Sequence, residues 1–137
     1  MRIAVSGTMR LAAEKRAGVA RINAMADAVR RRFITPIIGQ EMIYIEKETE
    51  ARRFIAMETL PNDLTDFPFI ASEVGVTAPS AYEVAQLYLN LGAQWRVVGS
   101  QLENLRLSSI TAIESATTLS QITQTIAYAE QVIQSFQ

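Results

Sequence analysis

Between Val84 and Ser109 the chain repeats apolar or small residues at alternating steps of four and three: Val84, Tyr88, Leu91, Trp95, Val98, Leu102, Leu105 and Ser109. A strand turns every second side chain to the same face, whereas a helix gathers positions three and four apart, so this stripe specifies a long α-helix. Leu87 and Val97 widen the stripe. The expected core face of the helix is Val84, Tyr88, Leu91, Trp95, Val98, Leu102 and Leu105. Ser80 with Glu83 supplies its start, a capping box in which hydroxyl and carboxylate occupy unpaired backbone donors of the first turn. A helix this long, apolar along one side, needs other helices to cover it.

The flanking segments supply them. Residues 8–33 are rich in Ala and Arg, both strong helix formers. Ala12, Val19, Ile22, Ala26, Val29 and Phe33 recur there at helical steps and form a narrow apolar seam, with Lys15 the one intruder. Gly18 weakens this helix or admits a close neighbour, and Pro36 ends it. Residues 41–60 favour a second helix, on which Met42, Ile45, Thr49, Arg52 and Ile55 alternate with Glu41, Glu46, Glu48 and Glu50. Pro61-Asn62-Asp63 marks a turn, Pro68 suits the start of a short helix, and Gly75 closes it. Thr118 with Gln121 forms a second capping box and opens a last helix, with Leu119, Ile122, Ile126, Ala129 and Ile133 on its buried face.

The fold class expected is therefore all-α: a long N-terminal amphipathic helix plus a small helical bundle, about four to five helices altogether. Residues 1–35 form the basic amphipathic arm of that scheme, for oligomerisation or docking, and residues 36–137 the bundle domain. At 137 residues, 49% apolar and 20% charged, the chain is the size of one domain and too apolar to be disordered. No stretch approaches the roughly 18 consecutive apolar residues of a membrane span, and charges at Arg10, Glu14, Lys15 and Arg16 interrupt any signal-peptide core.

Charge is unevenly spread. Residues 1–33 carry eight basic side chains against two acidic ones, a net of +6, and the remainder carries five against twelve, a net of −7, which together give −1. Arg30, Arg31 and Arg32 are the densest cluster. Their structural reading is that cations near a helix C-terminus complement its dipole. Their functional reading is contact with an anionic partner, first an acidic patch on a neighbouring subunit and then nucleic acid or a membrane surface. A specific DNA reader carries a more basic domain and a recognisable docking motif, so nucleic acid and membrane rank last among the partners.

The chain contains no cysteine and no histidine. That removes disulfides, thiolate ligands, the commonest general base and the commonest transition-metal ligand. No glycine pattern of a phosphate loop or dinucleotide fingerprint occurs. Glu41, Glu46, Glu48 and Glu50 lack the spacing of a calcium loop and are neutralised by Lys47, Arg52 and Arg53, so they read as a salt-bridged helix face. The expectation is a non-enzyme with no cofactor and no metal.

Residues 46–137 carry a series of short motifs. They run Glu48-Thr49-Glu50-Ala51-Arg52, then Phe67-Pro68-Phe69-Ile70-Ala71-Ser72-Glu73, then a Gly75-Val76-Thr77 break. Ala93-Gln94-Trp95-Arg96 and Ala112-Ile113-Glu114-Ser115-Ala116-Thr117-Thr118 follow on the long helix and at its end. This order resembles the small helical domain at the C-terminus of bacteriophage tail-fibre, baseplate-proximal and tail-assembly proteins. The N-terminal region departs from that pattern, with a basic helix where those proteins often have β-rich segments.

The resemblance implies no catalytic residues. It implies a structural protein of the virion tail, a fibre or baseplate component made in the bacterial host cytoplasm. Such a protein oligomerises, a trimer through the seam of residues 12–33 being favoured, and docks other tail or fibre proteins. Two alternatives stand beside it: a tail-assembly chaperone that binds a fibre protein transiently, and a binder of anionic surfaces through residues 10–32.

Overall fold

The computed structural model describes residues 6–136, and among them every regular element is a helix. The helices are α1 (Gly7–Phe33), α2 (Gln40–Ile55), α3 (Pro68–Glu73), α4 (Ala81–Ser115) and α5 (Leu119–Ile133). The all-α expectation holds, with the long first helix where the Ala- and Arg-rich segment placed it. Both capping hydroxyls are engaged as expected. Ser80 Oγ accepts the Glu83 N–H at 3.2 Å and donates to the Glu83 carboxylate at 2.9 Å. Thr118 Oγ1 accepts the Gln121 N–H at 3.2 Å, while Gln121 Oε1 reaches one residue further back, to the Thr117 N–H at 2.7 Å.

The chain divides into two compact units. One joins the chain up to Phe33 with the chain from Val98 onward, and the other is Ile34–Val97. In place of an arm at residues 1–35 set apart from a bundle at 36–137, α1 is built into the first unit. Its seam explains why: Ile22, Ala26 and Val29 are buried with Leu102, Leu105, Ile113 and Ala116 of α4 and Ile122 and Ala129 of α5. Val19 and Phe33 pack against this core half-buried, and Ala12 alone of the seam stays exposed. Gly18 is where α1 comes closest to its neighbours, since a Cβ there would stand 3.3 Å from both Ile113 Cδ1 and Ile122 Cγ2. Contacts near both ends of α1 give its direction. Lys15 donates to the Glu114 carbonyl at 2.7 Å and Arg30 pairs with Glu103 at 3.0 Å, so α1 runs antiparallel to α4.

In the second unit α2, α3 and the first half of α4 surround Ala51, Phe54, Phe67, Ile70, Val84, Ala85 and Tyr88. Phe54 and Phe67 meet edge to face, 5.3 Å between ring centres. Of the expected core face on α4, Val84, Tyr88, Leu102 and Leu105 are buried, and Trp95 and Val98 are half-buried. Leu91 is not core: it is 57% exposed, because the position after Tyr88 that turns inward is Gly92, four residues on, rather than Leu91, three on.

Truncation of Ile22 separates a core residue from an intermolecular seam. Ile22→Ala is expected to cost about 2–5 kcal/mol of stability through lost burial and the cavity left behind. Chemical denaturation at several protein concentrations checks this: a core residue lowers the midpoint equally at all of them, a seam residue does not.

Candidate interaction site

Glu50 is the least expected residue of the second unit, a glutamate only 3% exposed on the inward face of α2. Its two carboxylate oxygens accept the Phe69 N–H at 3.1 Å and the Ile70 N–H at 2.7 Å. Pro68 occupies the first turn of α3 and has no N–H to satisfy, so Glu50 takes the next two donors in line. A carboxylate there also faces the positive end of the helix dipole. No side chain of α3's own N-cap, Phe67, could do this.

A second carboxylate, Glu73, closes α3 from its other end. Lys47 Nζ pairs with it at 2.8 Å, Thr77 Oγ1 donates to it at 2.6 Å, and the Tyr88 hydroxyl donates to it as well. Lys47 also stands 5.2 Å over the Tyr88 ring, a cation–π contact. Burial opposes ionisation of Glu73, but Lys47, Thr77 and Tyr88 together outweigh it and hold its carboxyl below the ordinary range. Burial, and then the Glu73 charge, push the Tyr88 hydroxyl far above its ordinary value, so it acts here as a proton donor in a hydrogen bond and not as a base.

The third carboxylate, Glu48, lies over Gly92, where a Cβ would fall 2.5 Å from Glu48 Cδ. It binds Arg96 and, at 2.8 Å, Arg52. Arg96 first and Arg52 second hold its carboxyl below the ordinary range. The glutamates read from sequence as one salt-bridged face thus take separate tasks: Glu48 and Glu50 turn inward, while Glu41 and Glu46 remain exposed. Among the described residues no three carboxylates converge as metal ligands would, and no buried side-chain nitrogen or oxygen lacks a hydrogen-bond partner.

The arginine cluster of α1 is engaged in the same way. Arg30 pairs with Glu103, Arg31 with Asp27 at 2.8 Å, and Arg32 donates to the Phe136 carbonyl at 3.0 Å. Arg106 also grips Glu103 with two guanidinium nitrogens, at 2.7 and 2.9 Å, and reaches Asn23 at 3.0 Å. Arg21 pairs with Glu130. The basic face of α1 is spent largely on neighbours within its own unit.

What the second unit leaves open is apolar. Met42 is 71% and Ile45 65% exposed on the outer face of α2, and Ile38, in the turn before it, is fully exposed. Met42, Ile45, Thr49 and Arg52 step by three, four and three, so they share one side of the helix, away from Glu50, Ala51 and Phe54. Ile37 is exposed beside Ile38. Clustered apolar exposure of this kind marks an interaction surface more often than isolated surface residues do.

Compared with known proteins, the chain matches no family pattern, no curated protein and no solved structure. No described helix is long and apolar enough to cross a membrane.

Two measurements test the polar locks. Glu50→Ala leaves two backbone donors at α3 unpaired and is expected to cost about 2–3 kcal/mol in a denaturant melt, Glu50→Gln less, since one acceptor remains. Because the Glu73 carboxyl is lowered in the folded chain, its contribution is full above the ordinary carboxylate value of 4.5 and fades as pH falls through the lower folded value. Between those two values stability should drop less steeply with falling pH in Glu73→Gln than in the unaltered chain.

Proposed function

We propose that this chain is a non-enzymatic structural protein of a bacteriophage tail, a fibre or baseplate component that self-associates and holds other tail proteins. The observation that carries the reading is the exposed apolar side of α2 in a unit whose polar groups are paired internally. A surface of that kind offers adhesion and no reactive group. Absence of histidine and cysteine from the sequence points the same way. The tail assignment rests on the motifs around Glu48–Arg52 and Phe67–Glu73, whose Glu50, Phe67, Ile70 and Glu73 build the core and locks of the second unit.

A trimer closed through the α1 seam would compete with the core that Ile22, Ala26 and Val29 already form within one chain. The proposal therefore routes self-association through α2. Binding to anionic surfaces through residues 10–32 is the weaker reading, since most of the arginines it needs are paired. A tail-assembly chaperone is the second reading, favoured by the same exposed Met42 and Ile45, which would hold a fibre chain transiently.

Mass spectrometry of tailed particles, purified from a culture that encodes the chain, separates the two. A tail component is found in the particles at a fixed ratio to other tail proteins. A chaperone is found in the lysate with a fibre chain and not in the particles. Absence from both tail particles and fibre complexes would remove the tail assignment altogether. Ile45→Asp is expected to abolish docking while leaving the thermal midpoint nearly unchanged, because the side chain is outside the core.

A further inference from the structure

The outer side of α2 carries more than apolar contact. Its N-terminal end bears Glu41 and its C-terminal end Arg52, both exposed, while Glu46 lies near its middle and Arg53 donates to the Asp66 carbonyl at 3.2 Å. Arg52 shares Glu48 with Arg96, which leaves that group with one positive charge in excess. The helix therefore runs from acidic to basic along its length, with Met42, Ile45 and Thr49 between. A surface with this order is complementary to itself once turned end for end.

We propose that α2 pairs antiparallel with α2 of a second copy of this chain about a twofold axis, apolar sides inward and oppositely charged ends crossed. This rests on the reading that the chain works by joining chains, and it names the partner of the α2 surface. With the axis beside Ile45 and Thr49, Ile45 packs on Thr49 of the second copy, and Met42 lies along the Arg52 stem. Glu41 then faces Arg52 of the second copy, twice over, as an isologous contact requires. Antiparallel helices also oppose their dipoles favourably. Ile37 and Ile38 extend the contact at each end.

A helix of 16 residues is about 24 Å long, at ~1.5 Å per residue. One such pair buries less than the roughly 800 Å² per partner of a standard interface. The dimer is accordingly a weak one, in reversible exchange with monomer, and it becomes persistent only where many copies are held close together.

Analytical ultracentrifugation of the full chain tests this with a charge exchange. The unaltered chain is expected to sediment as a monomer–dimer equilibrium. E41R alone and R52E alone each place like charges across the axis, and each should weaken self-association by about tenfold or more. Mixed in equal amounts, the two restore opposite charges at both ends and should form a heterodimer at close to the original strength. Circular dichroism confirms that each variant is folded. A chain that stays monomeric up to about 100 µM overturns the pairing, as does a mixture no stronger than its separate components. A monomer found in tail particles would sink the pairing and leave the tail reading standing. A charge-exchange dimer absent from particles and fibre complexes would do the reverse.

Discussion

Glu50 joins two helices that neither could hold alone. The six residues of α3 are far too few to persist in water, where isolated helices shorter than about a dozen residues are marginal. Its N-terminal donors lie against the core of the second unit, buried at Ile70 and partly buried at Phe69, and leaving them unpaired there would cost more than the helix returns. The carboxylate from α2 accepts two of them, and the proline beside them removes a third. Phe67 and Ile70 can then be held against Phe54 in the core that Tyr88 completes. The aromatic core of the unit is thus organised around one charged side chain.

That arrangement bears on what the protein can do. Carboxylates, a lysine and a tyrosine gathered in a half-buried cluster would invite a search for acid–base chemistry in another setting. Here Lys47, Glu73 and Tyr88 satisfy one another, Glu48 is held by two arginines, and Glu50 is spent on backbone. Such groups hold shape. Met42 and Ile45 lie outside this network, on the face that the interior does not use.

Much of this was legible in the residues themselves. Periodicity, capping pairs and the punctuation of Pro68 and Gly75 located the five described helices, because those signals are local and the physics behind them is local too. The α1 seam was also legible as apolar, but which helices it would meet was not. Pairing α1 with α5 depends on contacts about a hundred residues apart, such as Arg21 with Glu130, and no local pattern announces these. Leu91 was misplaced because a four-three stripe describes a 3.5-residue repeat, whereas a straight helix drifts off it by ~20° per heptad. Glycine carries no hydropathy signal, so a stripe drawn through apolar residues passes over Gly92, where Glu48 comes close. Glu50 was hidden by its type, since a glutamate among glutamates reads as surface. The signal that could have found it was Pro68, which announces a helix start with no capping side chain of its own.

The first unit is interrupted in sequence: α1 precedes residues 34–97, and the second half of α4 and all of α5 follow them. During synthesis at the ribosome, α1 emerges ahead of every residue that will cover Ile22, Ala26 and Val29. Residues 34–97 can condense on their own contacts in the meantime, since domains tend to fold as units in order of appearance. The nascent chain therefore passes through a stage in which α1 is made and unsatisfied, and this stage lasts until α5 has been translated.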